Sequence, residues 1–497
     1  MKIVVVGAGV GGLAVAVRLA ARGHDVTVLE RADAPGGSCG RLDLDGFRFD
    51  TGPSLLTMPW VLADLIAATG AALSDELDLV RVEPVTEYRF ADGSRLELSA
   101  DLPRALEALE AWSPGSSAAW MRFLAIGAQM WRSSGPFLSG PAPWPLGRDA
   151  LAGGAATPGD PRDFLRVRPW WTLRQLARAV TRDPRLRMVI ERFATYAGAD
   201  PRRAPAALAV AGYVEHAFGG WHVVGGLHTI VEALARRLAA LGGELRTSTP
   251  ARRIVLDAGR VVGVEVDDQT IDCDAAISGV DALALHRDLL APVADGPLSA
   301  ERRRAVASER SLSGFVLMMG LSGSTEGLGH HTISFPTRYG DEFDDVFSRR
   351  RPVVDPALYV SLPQRSDPAC APPDGEALFV LANAPAHGRG LDWDREAEPY
   401  AARLIELLAE RGIDVRDRVL TRSQLSPADL ERRIGAPGGA IYGAAPHGRL
   451  ASLRRPPNAP RGARGLYRVG GSAHPGGGLP LVMLSAKIVA DQVERGI

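Results

Sequence analysis

Lysine is almost missing from this chain: it occurs only at Lys2 and Lys487, and arginine carries the rest of the positive charge. The formal net charge is -1, so no global field calls for nucleic acid or an anionic membrane. Cysteine is scarce as well. Cys39, Cys273 and Cys370 are scattered, without a CxxC or any metal-like spacing, and read as reduced thiols of a cytoplasmic protein. No apolar run approaches the ~20 residues needed to span a bilayer, so any membrane contact is expected to be peripheral. A signal peptide would need basic and apolar stretches ahead of the fold. Here the fold is expected to begin at residue 2, and secretion is not expected.

What the chain does have is length and punctuation. Its 497 residues exceed one typical domain of ~100–200 residues. Lys2 to Val6 is a β-branched apolar run suited to a buried parallel strand. Gly7-Ala8-Gly9-Val10-Gly11-Gly12 follows, then an apolar helix from Leu13 to Arg22, then a second strand from Asp25 to Glu30. This is a β–turn–α–β unit in which Gly7, Gly9 and Gly12 take the dinucleotide spacing. Gly7 permits the turn, Gly9 admits a pyrophosphate, and Gly12 lets helix and strand close up. Glu30 ends the second strand, where an acidic residue accepts adenosine ribose hydroxyls. Two features favour FAD over a nicotinamide: a second glycine turn, Ala34-Pro35-Gly36-Gly37, and the strand–helix pattern at the far end (GLYRVGG, then LPLVMLSAKIVADQV).

The middle of the chain changes character. Residues 100–215 read as helical, broken by a Pro/Gly-rich stretch over 133–147. Trp112, Trp120, Trp131, Trp144, Trp170 and Trp171 fall here, suited to a lipophilic tunnel or a bilayer interface. From Gly225 an α/β rhythm returns, and 285–440 again reads as inserted material.

Over nearly its whole length the sequence resembles the phytoene desaturase-type carotenoid desaturases of the FAD-dependent amine oxidase superfamily. The anchors are VVVGAGVGGLAVAVRLAARGHDVTVLE, APGG, DGFRFDTGPSLLTMP, FATYAGADPRRAPA, GGWHVVGGLHTIVEAL and GLYRVGGSAHPGGGLPLVMLSAKIVA. The resemblance implies an α/β fold: a Rossmann-type FAD-binding domain from segments 1–100, 215–285 and 440–497, with an inserted α+β substrate and membrane-facing domain over 101–214 and 286–439. It implies flavin contacts from Gly52, Pro53 and Ser54 and from the loop Gly470 to Pro480, including Gly470, Gly471, Ser472, Gly478 and Leu479. With Ala8, Gly11, Gly36, Gly37, Arg253 and Ile254 these complete the expected cofactor set. Relatives often carry Arg or Lys after the second Gly-Gly pair, where this chain has Ser38; Arg41 is the expected substitute.

The implied activity is flavin-dependent desaturation of a carotenoid such as phytoene, neurosporene or a hydroxycarotenoid, by a protein resting peripherally on the membrane. The alternatives are an amine or protoporphyrinogen oxidase of the same superfamily, or a non-redox lipid escort. The hydride acceptor is the cofactor, so the protein's task is to hold an apolar polyene at the flavin and exclude water. His474 is the candidate polar residue for catalysis, against a role in fixing the HPGGG turn. Glu215, His216 and His222 read as a domain junction. The pair His330-His331, without carboxylate or thiol neighbours in sequence, reads as packed histidines, and no metal is expected.

Overall fold

The computed structural model describes residues 1–142, 168–292, 295–388, 390–448 and 451–496. Trp144 and the end of the Pro/Gly-rich stretch, residues 143–147, therefore lie outside the described residues. Strand Lys2–Val6 is central in a five-stranded parallel sheet, flanked by Asp25–Leu29 and then Glu244–Arg246 on one side. On the other side stand Ala275–Ser278 and Leu466–Arg468. Three separated stretches of chain thus meet in one sheet, whose strands Lys2–Val6 and Ala275–Ser278 are buried as near-continuous, largely apolar runs. Helix Val10–Ala20 is buried along its whole length and packs between helices His228–Ala240 and Leu479–Glu494. Even Arg18 is drawn in, its guanidinium 2.6 Å from Asp64. A three-stranded antiparallel layer, Ala251–Asp257, Arg260–Val266 and Gln269–Asp272, covers the other face.

The second unit is a seven-stranded mixed sheet in the order Val419–Leu425, Ser313–Ser322, Gly375–Ala384, Leu358–Ser361, His331–Ser334, Thr86–Arg89 and Arg95–Leu98. All pairings are antiparallel except that of His331–Ser334 with Thr86–Arg89. This moves one expected boundary. The hairpin over 86–98 belongs to the substrate-side sheet, not to the nucleotide-binding segment ending at 100. The helix Ser116–Ser139 likewise runs on through Gly135 and Pro136, where a break was expected at 133. Helices from 102–139 and 173–218 cover this sheet and form their own core around Trp120, Phe123 and Phe193.

Candidate active site

A cavity of about 1170 Å³ runs between the two units. One end is formed by the glycine turns of the parallel sheet. Gly9 caps helix Val10–Ala20 without any side-chain cap, so the first N–H groups of that helix face the cavity free. Gly12 has no alternative: a Cβ there would sit 1.9 Å from the carbonyl oxygen of Gly7. Glu30 accepts hydrogen bonds from the Ala8 N–H at 2.7 Å and the Ala32 N–H at 2.9 Å. Those bonds hold its carboxylate at the cavity wall, with lone pairs left for ribose hydroxyls. An uncapped helix start beside a fixed carboxylate is the donor and acceptor set that a dinucleotide requires, so the residues present fit FAD.

Farther along, the loop carrying Gly52, Pro53 and Ser54 lines the same cavity, as do Gly470, Gly471, Ser472, Gly478 and Leu479. Gly52 is a close approach, since a Cβ would meet the Ser38 carbonyl at 1.9 Å. Asp50 ties this loop to the helix start that follows Gly225-Gly226, accepting the N–H groups of Leu227 at 2.9 Å and His228 at 3.2 Å. Burial pushes Asp50 up to about 6 against those two bonds.

Four of the expected cofactor positions stand off the cavity wall. Arg41 spends its guanidinium on Asp43 and Glu232, at 2.8 and 3.0 Å. Arg253 points outward to Glu265, and Ile254 is 1% exposed in the core beneath the antiparallel layer. Pro250 and Ala251, just before them, do line the cavity. Ala8 contributes its N–H to Glu30 rather than a wall. His474 is buried too. Its ring meets Phe137 edge-on, with centroids 4.7 Å apart, and its Nε2 stands 3.1 Å from the carbonyl of Gly140. A carbonyl only accepts, so Nε2 carries the proton and donates it. His474 N–H donates to Pro456 and its carbonyl accepts from Asn458 Nδ2, so the residue is a staple of the HPGGG loop.

The far end of the cavity is apolar, with Phe193, Leu208, Val214, Ile333, Phe335 and Leu381 among its walls. Two polar groups interrupt it. Arg192 pairs with Glu215 and donates to the hydroxyls of Tyr88 and Tyr196, each at 2.8 Å, while Tyr196 donates to Glu215 at 2.6 Å. Glu215, read as a junction residue, is thereby consumed. The second group joins three distant segments: Ser54 Oγ lies 2.6 Å from Tyr359 Oη, which lies 2.6 Å from His331 Nδ1. His331 Nε2 is buried without a partner, and burial, then the neighbouring His330, hold the imidazole well below its usual range. Burial pushes Tyr359 up to about 12. Behind them the His330 ring stands 5.1 Å from that of His222, which approaches Asp367 at 3.7 Å. Folding thus brings a carboxylate to this histidine group, and Cys370 beside it. Asp367 is already bound by the Gly225 N–H at 2.7 Å and by the Cys370 thiol.

Tyr359 and Arg192 were not singled out from the sequence, and His331 was read only as packed. No local pattern marks them, because their meeting depends on strand register: His331 pairs Ser361 and Ile333 pairs Tyr359 across adjacent strands.

Residues 10–329 match the flavin containing amine oxidoreductase family. The chain is 34% identical over 498 residues to the zeta-carotene-forming phytoene desaturase of Myxococcus xanthus, covering 99% of this chain and 93% of that protein. It is also 34% identical to the hydroxyneurosporene desaturase of Rubrivivax gelatinosus, over 99% of this chain and 92% of that one. In fold it is similar to an oxidoreductase from Methanosarcina mazei, with a TM-score of 0.67 at 20% identity, covering 99% of this chain and 100% of that one. The protein is an FAD-dependent oxidoreductase. It belongs to the flavin containing amine oxidoreductases, and within them to the carotenoid desaturase family.

Proposed function

We propose that the protein desaturates a carotenoid lying along the apolar arm of the cavity. The observation that carries this reading is the continuity of that arm with the glycine-lined end, in a single space of about 1170 Å³. When bound, the flavin supplies the hydride acceptor. The chain's own residues hold the polyene, keep water out and receive the proton. Hydride loss from one carbon leaves a cation that the adjacent double bonds delocalise. Tyr359 Oη takes the proton from the neighbouring carbon, whose C–H electron pair becomes the new double bond. Tyr359 passes its own proton to His331 Nδ1. Ser54 holds the phenol from the other side. An amine substrate would want a free acidic anchor or an aromatic cage; Glu215 is committed to Arg192. Expression in hosts accumulating phytoene, neurosporene or hydroxyneurosporene, followed by pigment analysis, tests the reading. More conjugated product in at least one host is expected; unchanged pigment in all three, with FAD bound, overturns it.

The substrate dissolves in membranes, and we place the enzyme on their surface. Among the described residues no helix is long and apolar enough to cross one. Trp60, 43% exposed, packs edge-on against Phe218, which in turn meets Trp131 on the cavity wall. That aromatic path from surface to cavity suits transfer of an apolar ligand. Liposome flotation that survives high salt is expected, since apolar insertion is not screened; Trp60→Ala weakens it.

A further inference from the structure

Ser38, a neutral residue, follows the second glycine turn, and Arg41 nearby is held by two carboxylates. Arg433 reaches the same end of the cavity from the other unit. It belongs to helix Pro427–Ile434, which abuts the seven-stranded sheet. Its guanidinium lies across Gly40: Nη2 occupies a point 2.0 Å from where a Cβ on residue 40 would be. Any side chain at 40 would evict it. Thr51 Oγ1, 3.0 Å from that point, is buried with no partner. The helix end is fixed from below, because Arg31 donates to the carbonyls of Arg432 and Arg433 at 2.7 and 2.9 Å.

Among the described residues, the Arg433 guanidinium makes no hydrogen bond and no ion pair. Burial holds its pKa below the usual arginine range, with no carboxylate pulling the other way. The residue keeps an exposed face, so the guanidinium is open to an anion entering the cavity, and the adjacent wall is the place for one. Gly9 and Gly36 bridge each other, and a Cβ on Gly37 would lie 3.4 Å from Gly9 Cα, so the Gly36–Gly40 turn and the helix start form one surface.

We infer that Arg433 supplies the phosphate-facing cation that position 38 lacks, so that the pyrophosphate of FAD is clamped by an arginine from the substrate-side unit. The cofactor then bridges the two units.

Apo-protein titrated with FAD, followed by quenching of flavin fluorescence, tests this without any turnover. Arg433→Gln is expected to raise the FAD Kd about 10–100-fold, the range of one lost charge-assisted hydrogen bond. Competition by ADP should weaken in parallel, whereas competition by adenosine, which has no phosphate, should not change. Ser38→Arg in the same chain should restore most of the affinity. Because the guanidinium has no protein partner, the melting temperature of the apo-protein should stay at the wild-type value. An FAD Kd within threefold of wild type overturns the inference. So does an equal loss of ADP and adenosine binding, or a loss that tracks a fall in apo stability and is not reversed by Ser38→Arg.

Discussion

At the glycine-lined end of the cavity, the ligand meets mostly backbone: helix N–H groups, carbonyls and one carboxylate fixed by two amides. At the apolar end it meets side chains drawn from segments hundreds of residues apart, as in Ser54, His331 and Tyr359. The first kind of site tolerates almost no substitution, because the demand is for absence of atoms. The second tolerates exchange of apolar walls and depends on a few hydrogen-bonded groups. The difference also sets which end can be changed in evolution without loss of the cofactor.

Two glycine substitutions break the comparison most sharply. Gly12→Val forces atoms into the Gly7 carbonyl, and loss of the folded, flavin-bound protein is expected. Gly9→Val meets nothing nearer than 3.9 Å within the protein itself. The fold should survive while FAD is lost, because the valine occupies the place of the pyrophosphate. Flavin content and thermal melts on both variants check the pair; wild-type flavin occupancy in Gly9→Val would falsify the assignment of that end.

At the other end, Tyr359→Phe keeps the packing and removes the hydroxyl between Ser54 and His331. Full FAD occupancy is expected, with anaerobic flavin reduction by carotenoid slowed about 10²–10⁴-fold, the usual worth of general acid–base catalysis. A rate within threefold of wild type removes Tyr359 from the proton path.

The cofactor end was largely legible in the sequence. Lys2–Glu30 carries its strand, turn, helix and acidic residue within thirty positions, and a short-range pattern of that kind is set by local sterics. The strand–helix return at Leu466–Glu494 was legible for the same reason. Arg253 and Ile254 stand off the cavity wall that Pro250 and Ala251 line, because which residue of a strand end faces the cavity depends on a bulge between Ala251 and Arg253. The hairpin at 86–98 could not be assigned to its sheet, since the partner strand His331–Ser334 lies more than two hundred residues on. His331 itself was visible as a histidine but not as the neighbour of a phenol.

The side-chain-built end should also be the pH-sensitive one. Glu342 is fully buried beneath it; its carboxylate accepts hydrogen bonds from Asn383, a cavity-wall residue, and from the Ala357 N–H, both at 2.6 Å. Burial outweighs those bonds and pushes Glu342 up from 4.5 to about 7. An acid raised in the folded state adds stability below its unfolded pKa, and that stability is lost as pH rises through the folded value. Between pH 4.5 and 7 the loss is on the order of 3 kcal/mol. Glu342→Gln cannot ionise, so its denaturant midpoint should fall less than that of wild type between pH 5 and 8. Parallel pH curves for the two proteins would show that Glu342 is not the group responsible.

The smallest effect is expected where the sequence pointed most directly at catalysis. His474 donates through Nε2 to Gly140 and is anchored by Pro456 and Asn458 through its backbone, so its work is to hold the HPGGG loop. Burial lowers the imidazole to about 4, which keeps it neutral at working pH. A neutral imidazole whose Nε2 carries the proton could still act as a base through Nδ1. His474→Asn separates the two roles: asparagine keeps an N–H donor for Gly140 but cannot accept a proton at that pH. If the histidine only staples the loop, FAD occupancy stays at the wild-type level and anaerobic reduction slows by less than about tenfold, below the range of a principal base. A slowing of 10²-fold or more with FAD fully bound would return the proton to His474 and leave Tyr359 and His331 as walls.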